Sequence, residues 1–168
     1  MTINPKISVR EAEGGDAEGI AAVHHAAVHN AGGETYPPDA LNHWSGPLNQ
    51  QRIDDWHRRI QDDAEPFVVA ESEGTIIGFG SILPQSGRLR GTYVKPEHER
   101  TGIGRQLLAR LEEIAADSGL ERLQVDSSLN AGSFYTARGY ELLEQTTHQL
   151  EDGFKIACLR MSKALGKT

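Results

Sequence analysis

Two glycines separated by one residue, Gly102 and Gly104, lie between two arginines, Arg100 and Arg105. An apolar stripe at helical spacing follows: Ile103, Leu107, Leu108, Leu111, Ile114 and Ala115, with Gln106, Glu112, Glu113 and Asp117 mostly opposite. The first N–H groups of a helix have no partner within it, and the aligned peptide dipoles make that end partly positive. Glycines there leave no side chain between those N–H groups and an incoming anion, and the arginines add formal charge. The chemistry this pattern could serve is the cradling of a pyrophosphate. The same glycines would equally suit a helix that begins after a turn and binds nothing. Two phosphate motifs fail. A dinucleotide fingerprint needs a third glycine where this chain has Leu107, and no Walker A segment is present.

The frame Glu99-Arg100-Thr101-Gly102-Ile103-Gly104 resembles the acetyl-CoA loop of the GNAT superfamily of N-acetyltransferases, usually Gln/Arg-x-x-Gly-x-Gly/Ala. Position 99 departs from it, being Glu, with the basic Arg100 beside it. The preceding Thr92-Tyr93-Val94 and Pro96 also fit the family. A second segment, Ser128 to Tyr140, is similar to the later signature of that family, Asn/Ser-x-x-Ala-x-x-Phe-Tyr-x-x-x-Gly-Phe/Tyr. Aligned on Ala131, the frequent Asn falls at Ser128, with Asn130 two residues on. Phe134, Tyr135 and Arg138 would lie on a short helix capped by Gly139. Core packing is the reading for Phe134, and would be for Tyr135 without the first motif.

These segments need elements to hold them. Ile7 and Val9, with Ala12, suggest a first strand, Asp16 an N-cap, and Ile20, Val23, Ala27 and Val28 a helix to about His29. His25 and His29 are at metal-ligand spacing, but no His-Glu-x-x-His pattern or nearby cysteine accompanies them. A solvated face is expected for His24, His25 and His29, and no metal. Asn30 to Pro38 reads as a loop, and Pro38 to Trp44 and Arg52 to Ile60 as short helices, with Trp44, Ile53, Trp56 and Ile60 as an apolar stripe. Phe67–Glu71 and Thr75–Leu83 form a hairpin about Ser72-Glu73-Gly74. Arg88–Val94 follows a Pro-Gln-Ser-Gly turn, and Pro96 marks the strand's exit. After the 103–117 helix, with Gly119 as its C-terminal cap, Arg122–Ser127 is a strand. The helix makes it a crossover, so this strand should run parallel to 88–94. Tyr140–Thr146 and Phe154–Met161 close the sheet about Glu-Asp-Gly, and Met161–Thr168 reads as a frayed polar tail.

The fold expected is thus α/β of the α+β sandwich type. The resemblance implies a GNAT fold: a mixed, mostly antiparallel sheet of six or seven strands, four to five helices, and a splayed parallel pair that holds the cofactor. At 168 residues the expectation is one domain spanning 1–168. The net charge of −7 and the lack of a basic run argue against nucleic acid, and favour cationic substrates only weakly. Cys158 is the only cysteine, so no internal disulfide can form, which suits the cytoplasm. No apolar run approaches the length of a membrane span.

The resemblance implies transfer of an acetyl group from acetyl-CoA, as co-substrate, to an amine of a small molecule or peptide; a homodimer is left open. It implies Tyr135 as general acid and assigns Thr92, Tyr93, Val94, Arg100, Thr101, Gly102, Ile103, Gly104, Arg105, Ser128 and Asn130 to the cofactor. Gly91 would let the strand bend, and a backbone N–H at Val94 would polarise the thioester carbonyl. Many relatives carry a Glu six residues before the valine, where this chain has Arg88. A base could come from Asp126, Glu71, or a histidine of the first helix acting through water. Two alternatives are a non-catalytic acyl-CoA-binding regulatory domain, which would not need Tyr135, and an unrelated phosphate-ligand protein, which the failed fingerprints disfavour.

Overall fold

The computed structural model describes residues 6–31 and 34–166. Seven strands form one sheet: β1 (Ile7–Glu11), β2 (Phe67–Ser72), β3 (Thr75–Leu83), β4 (Arg88–Val94), β5 (Arg122–Ser127), β6 (Glu141–Gln149) and β7 (Lys155–Ala164), ordered β1-β2-β3-β4-β5-β7-β6. Five helices cover it: α1 (Ala17–Ala31), α2 (Pro38–Trp44), α3 (Gln50–Gln61), α4 (Ile103–Asp117) and α5 (Gly132–Ala137). All strand pairs are antiparallel except β4–β5, where the helical crossover brings the strands parallel.

The apolar stripe of α4 packs with Val68, Ile77, Ile82, Leu89, Leu123 and Val125 on one side of the sheet. On the other side α1 and α3 bury Ile20, Val23 and Trp56 against Phe67, Val69 and Phe79. The strands between these layers are apolar on both faces, which is why β2 and β3 read as nearly continuous apolar runs. The hairpin β2–β3 turns through Glu73 (φ 51°) and Gly74 (φ 80°), the double left-handed turn that matches strand twist. Helix α4 ends as expected: Gly119 donates to the Ala116 carbonyl and Leu120 to that of Ala115.

Three local expectations need correction. Asp16 does not cap α1; it ends a 3₁₀ turn over Gly14–Asp16, where its carboxylate accepts from the Glu13 N–H and pairs with Arg10. The tail is not frayed through Ala164. Residues 162 to 164 extend β7 alongside β5, with Arg122 opposite Ala164, and Met161 and Ser162 are buried. Its alternation is short and carries a serine and a lysine, so it looks polar until β5 is beside it. The third concerns His24, which lies in the core rather than on a solvated face.

Candidate active site

The site begins with a defect in the sheet. β3 and β4 pair with a bulge, since Ser81 faces Gly91 and Ile82 faces Leu89, leaving Arg90 as the extra residue. Gly91 there has φ 144°. Beyond the bulge β4 bends away from β5, and the two pair only at Arg88–Gln124 and Leu89–Val125. Lys95 N–H bonds the Ile77 carbonyl, so Tyr93 lies in the same bonded phase and the N–H groups of Thr92 and Val94 point away from β3, into the gap between β4 and β5.

Tyr135, on α5, meets that gap. Its hydroxyl is 3.2 Å from Thr92 Oγ1, and the Thr92 N–H also faces it. Tyr135 is 3% exposed, and burial pushes its pKa up to about 12, so the phenol is protonated at neutral pH. The ring packs edge-on against Phe134 and Tyr140. Helix α5 ends with Tyr140 N–H donating to the Tyr135 carbonyl, so the helix terminus and the tyrosine are one unit.

The start of α4 opens on the same face. Gly102 is the N-cap at φ 86°, and Arg100 also takes a positive φ of 61°. Among the described residues no protein acceptor takes up the N–H groups of residues 100 to 105, and no acidic residue stands in the first turn. Thr101 Oγ1 instead donates to the His98 carbonyl at 2.5 Å, bracing the loop. Arg100, Thr101 and Arg105 are exposed, whereas Ile103 is buried under the helix. The two glycines differ. A Cβ on Gly102 would meet only the Arg105 guanidinium, at 3.5 Å, but a Cβ on Gly104 would lie 3.3 Å from the Phe134 ring. Gly104 therefore lets α4 approach α5.

A cavity of about 490 Å³ lies across the sheet, under α2 and α3. Its inner wall is aromatic: His24, Trp44, Trp56, Phe79 and Tyr93. Tyr93 stacks on Phe79 at 5.1 Å and meets His24 at 4.8 Å. Its ring thus faces this cavity and not α4, as does Ser128. Thr92 contacts Tyr135, Val94 packs with the α4 cluster, and Asn130 is exposed. The floor and sides of the cavity are ionic, with Arg88 and Arg90 from β4, Arg52 and Arg59 from α3, and Asp126 from β5. Turn residues Glu151 and Asp152 form its rim.

The bases considered from the sequence are poorly suited. Glu71 pairs with Arg10 beside β1, outside the cavity. Burial tends to raise the pKa of Asp126, but hydrogen bonds from Arg160 and His148 and the charges of Arg160 and Arg88 outweigh it, and the carboxyl stays below its ordinary value. Burial, helped by the charges of Arg59 and Arg52, drives His24 down to about 3. Its Nδ1 is 3.1 Å from Ser45 Oγ, so it serves as a neutral wall of the cavity. His29 Nε2 bonds the Ser45 carbonyl at 2.6 Å, with the His25 ring tilted against it at 4.4 Å. Among the described residues no cluster of His, Cys, Asp and Glu is arranged to hold a metal ion, and no helix is long and apolar enough to cross a membrane.

Residues 33–165 match the family described as Acetyltransferase (GNAT) domain. The chain belongs to this family of acetyltransferases. An uncharacterized N-acetyltransferase of Bacillus subtilis (strain 168), YuaI, is 30% identical over 94% of this chain and 90% of its own length. The solved structure of a GCN5-related N-acetyltransferase from Rhodopseudomonas palustris superposes with a TM-score of 0.84, at 24% identity, covering 98% of this chain and 99% of that one. The PaiA N-acetyltransferase from Thermoplasma acidophilum, solved with coenzyme A, superposes at 0.74 with 19% identity, covering 95% of this chain and 99% of that one. The GNAT enzyme described here is an acyltransferase whose mixed seven-stranded sheet and five helices agree with those neighbours.

The sequence motifs of this acetyltransferase pick out the 100–105 loop and Tyr135, but not most of the cavity under α2 and α3. Arg52 and Arg59 are seven apart on one helical face, a signal that was available. Glu65, Ser81 and His148 carry none. Tyr36 was also missed: its hydroxyl donates to the Ala157 carbonyl at 2.6 Å and accepts from the Leu129 N–H at 2.9 Å, tying the segment before α2 to the loop that carries Ser128 and Asn130.

Proposed function

We propose that this protein transfers the acetyl group of acetyl-CoA to a primary amine of a small molecule or peptide seated in the cavity beneath α2 and α3. The observation that carries the reading is the opening between β4 and β5. It meets an unsatisfied, arginine-flanked helix terminus and the Tyr135 phenol on one face, with a closed-in acceptor cavity on the other. The residues present fit the cofactor: the loop 100–105 and Arg105 suit its pyrophosphate, and Thr92 and Val94 present N–H groups along the gap. The solved neighbour with bound coenzyme A supports the same assignment.

In balance, the thioester C–S bond breaks and a C–N bond forms. An ammonium and acetyl-CoA give an amide, the free thiol and one proton. Acetyl-CoA supplies the activated thioester; the protein supplies position and polar groups. The Val94 N–H, which points into the gap, would stabilise charge on a thioester carbonyl oxygen seated there. The Tyr135 hydroxyl is the donor available to the leaving sulfur. Burial favours the neutral phenol, so it keeps its proton until the sulfur gains charge. Tyr135 therefore acts by a hydrogen bond to sulfur that shortens as charge builds, with complete proton transfer following or going to water.

With Glu71 outside the cavity, Asp126 held below its ordinary value and His24 driven down by burial, the acceptor amine reacts from its neutral fraction. An alkylamine titrates near 10.4, so the amine's own titration should raise kcat/KM about tenfold per pH unit from 7 to 9. The test is thiol release from acetyl-CoA with a panel of amines, alongside calorimetry of acetyl-CoA binding. Binding without turnover of any amine would point to a non-catalytic acyl-CoA-binding domain. No binding would remove the proposal.

A further inference from the structure

We propose that the acceptor carries a carboxylate besides its amine, on an apolar or aromatic body, and that Arg52 with Arg90 holds that carboxylate. This rests on the acetyltransferase reading above and narrows its substrate class.

Most charges in and beside the cavity are already matched. Glu65, 5% exposed, takes two bonds from Arg59 (3.2 and 2.7 Å) and one from Ser81 Oγ at 2.7 Å. Asp126 takes Arg160 at 3.0 Å, His148 at 3.0 Å and Arg88 at 3.2 Å. Asp55 pairs with Arg58 and Asp152 with His43. Two arginines are left over. Arg90 reaches Glu65 only at 3.7 Å, against an acid whose oxygens are engaged. Arg52 makes no side-chain hydrogen bond or ion pair among the described residues, although it lines the cavity and is only partly exposed. Its guanidinium lies close against the Gly46 backbone. A Cβ on Gly46 would lie 2.7 Å from Arg52 Nη2, so the bare glycine provides the space that the guanidinium occupies.

An arginine positioned against buried backbone, with no acid of its own, presents a free planar fork, and that fork matches a carboxylate bidentately. The neighbouring wall decides the rest of the ligand. Trp44, Trp56, Phe79 and Tyr93 offer flat apolar surface, which suits an apolar or aromatic body. Glu151 is the acid of the lining without an ion-pair partner among the described residues, but it is exposed at the rim. A polycationic acceptor would have to place its charges beside Arg52, Arg59, Arg88 and Arg90. The chain's overall acidity therefore misleads about its substrate. The carboxylate takes no part in the bond exchange; it fixes the amine's direction.

The test compares matched acceptors that differ only in the carboxylate: L-phenylalanine against 2-phenylethylamine, and L-methionine against 3-(methylthio)propylamine, with spermidine as the polycationic probe. Wild-type kcat/KM should favour each acid over its amine by at least tenfold. Arg52→Gln should lower kcat/KM for the acids by about 10- to 100-fold, the range of a charge-assisted hydrogen bond. It should act mainly through KM and leave the carboxylate-free amines within about twofold. Arg52→Lys should restore part of the loss. Arg110→Gln, on the exposed side of α4, is the control for surface charge. Equal or better use of the carboxylate-free amines or of spermidine would overturn the proposal while leaving acetyl transfer intact. So would acetyl-CoA binding with no turnover of any acid-bearing amine, or an Arg52→Gln loss equal for acids and amines. Absence of acetyl-CoA binding itself would instead bring down the reading on which it rests.

Discussion

Tyr135 separates function from packing because its ring and its hydroxyl do different things. The ring is enclosed by Phe134 and Tyr140, while the hydroxyl meets only Thr92 at the gap. Tyr135→Phe keeps the ring, so melting temperature and acetyl-CoA affinity should change little while kcat falls about 10²-fold, the low end for a general acid. Unchanged kcat with lowered stability would make the residue a core tyrosine. Gly102 is the second test at this scale. Its φ of 86° costs a side chain about 1–2 kcal/mol, and a carboxylate there would pair with Arg105, 3.5 Å from the Cβ position. Gly102→Asp should therefore leave a folded protein by circular dichroism and weaken acetyl-CoA binding by at least tenfold in calorimetry. Undiminished affinity would place the pyrophosphate elsewhere.

Among elements, the start of α4 is seated on α5 by Gly104 against Phe134. Gly104→Asp should lower stability by about 1–3 kcal/mol through overpacking, read as a shifted denaturant midpoint, in addition to any effect on cofactor binding. The contrast with Gly102 distinguishes a glycine kept for closeness from one kept for backbone angle. A second junction joins α2 to the β6–β7 turn. His43 Nδ1 is 2.6 Å from Asp152 Oδ2, and its ring stacks on Phe154 at 4.1 Å. The hydrogen bond to Asp152 raises the His43 pKa above 6.5, and the same contact holds Asp152 below 3.8. A raised histidine contributes fully below 6.5 and loses its contribution as pH rises through the folded value; the depressed Asp contributes above 3.8 and loses it as pH falls. The clasp is therefore charged between those limits. Because both residues line the acceptor cavity, acceptor KM should rise as pH passes the raised His43 value, over and above the amine's own titration. Asp152→Asn should remove that extra inflection.

At the scale of the molecule, one sheet serves two compartments, with a core layer on each face. Leu107 has no exposure and joins α4 to the sheet. Leu107→Ala should cost about 2–5 kcal/mol, measured by denaturant unfolding, because the layer cannot close over the void. The cofactor should act in the opposite sense. Acetyl-CoA at about 100 times its dissociation constant adds about 2.7 kcal/mol to the folded state. For a chain of this size that is a melting shift of about 5–10 °C. No shift with acetyl-CoA, and one with NAD or ATP, would contradict the assignment of the 100–105 loop.

The local features were legible in the sequence because their causes are local. The α4 stripe recurs at the helical period, the glycines of the loop and the Gly119 cap answer to backbone angles within a few residues, and the β2–β3 hairpin is closed by its own Glu73-Gly74 turn. The crossover through α4 was enough to make β4 and β5 parallel, since a chain that leaves one strand and returns by a helix has that geometry. What the sequence could not carry was the outcome of pairing between distant surfaces. β7 inserted between β5 and β6 turned a polar-looking tail into strand. Packing of α1 against Trp56 and Tyr93 put His24 in the core, though its neighbours His25 and His29 are partly exposed. The arginines of the cavity come from α3 and β4, and their acids from positions as far away as Glu65 and Asp126. A lone charged residue has no periodic signature, and its meaning depends on which partner the fold brings within about 3 Å, so only tertiary structure shows that Arg52 has no acid beside it among the described residues.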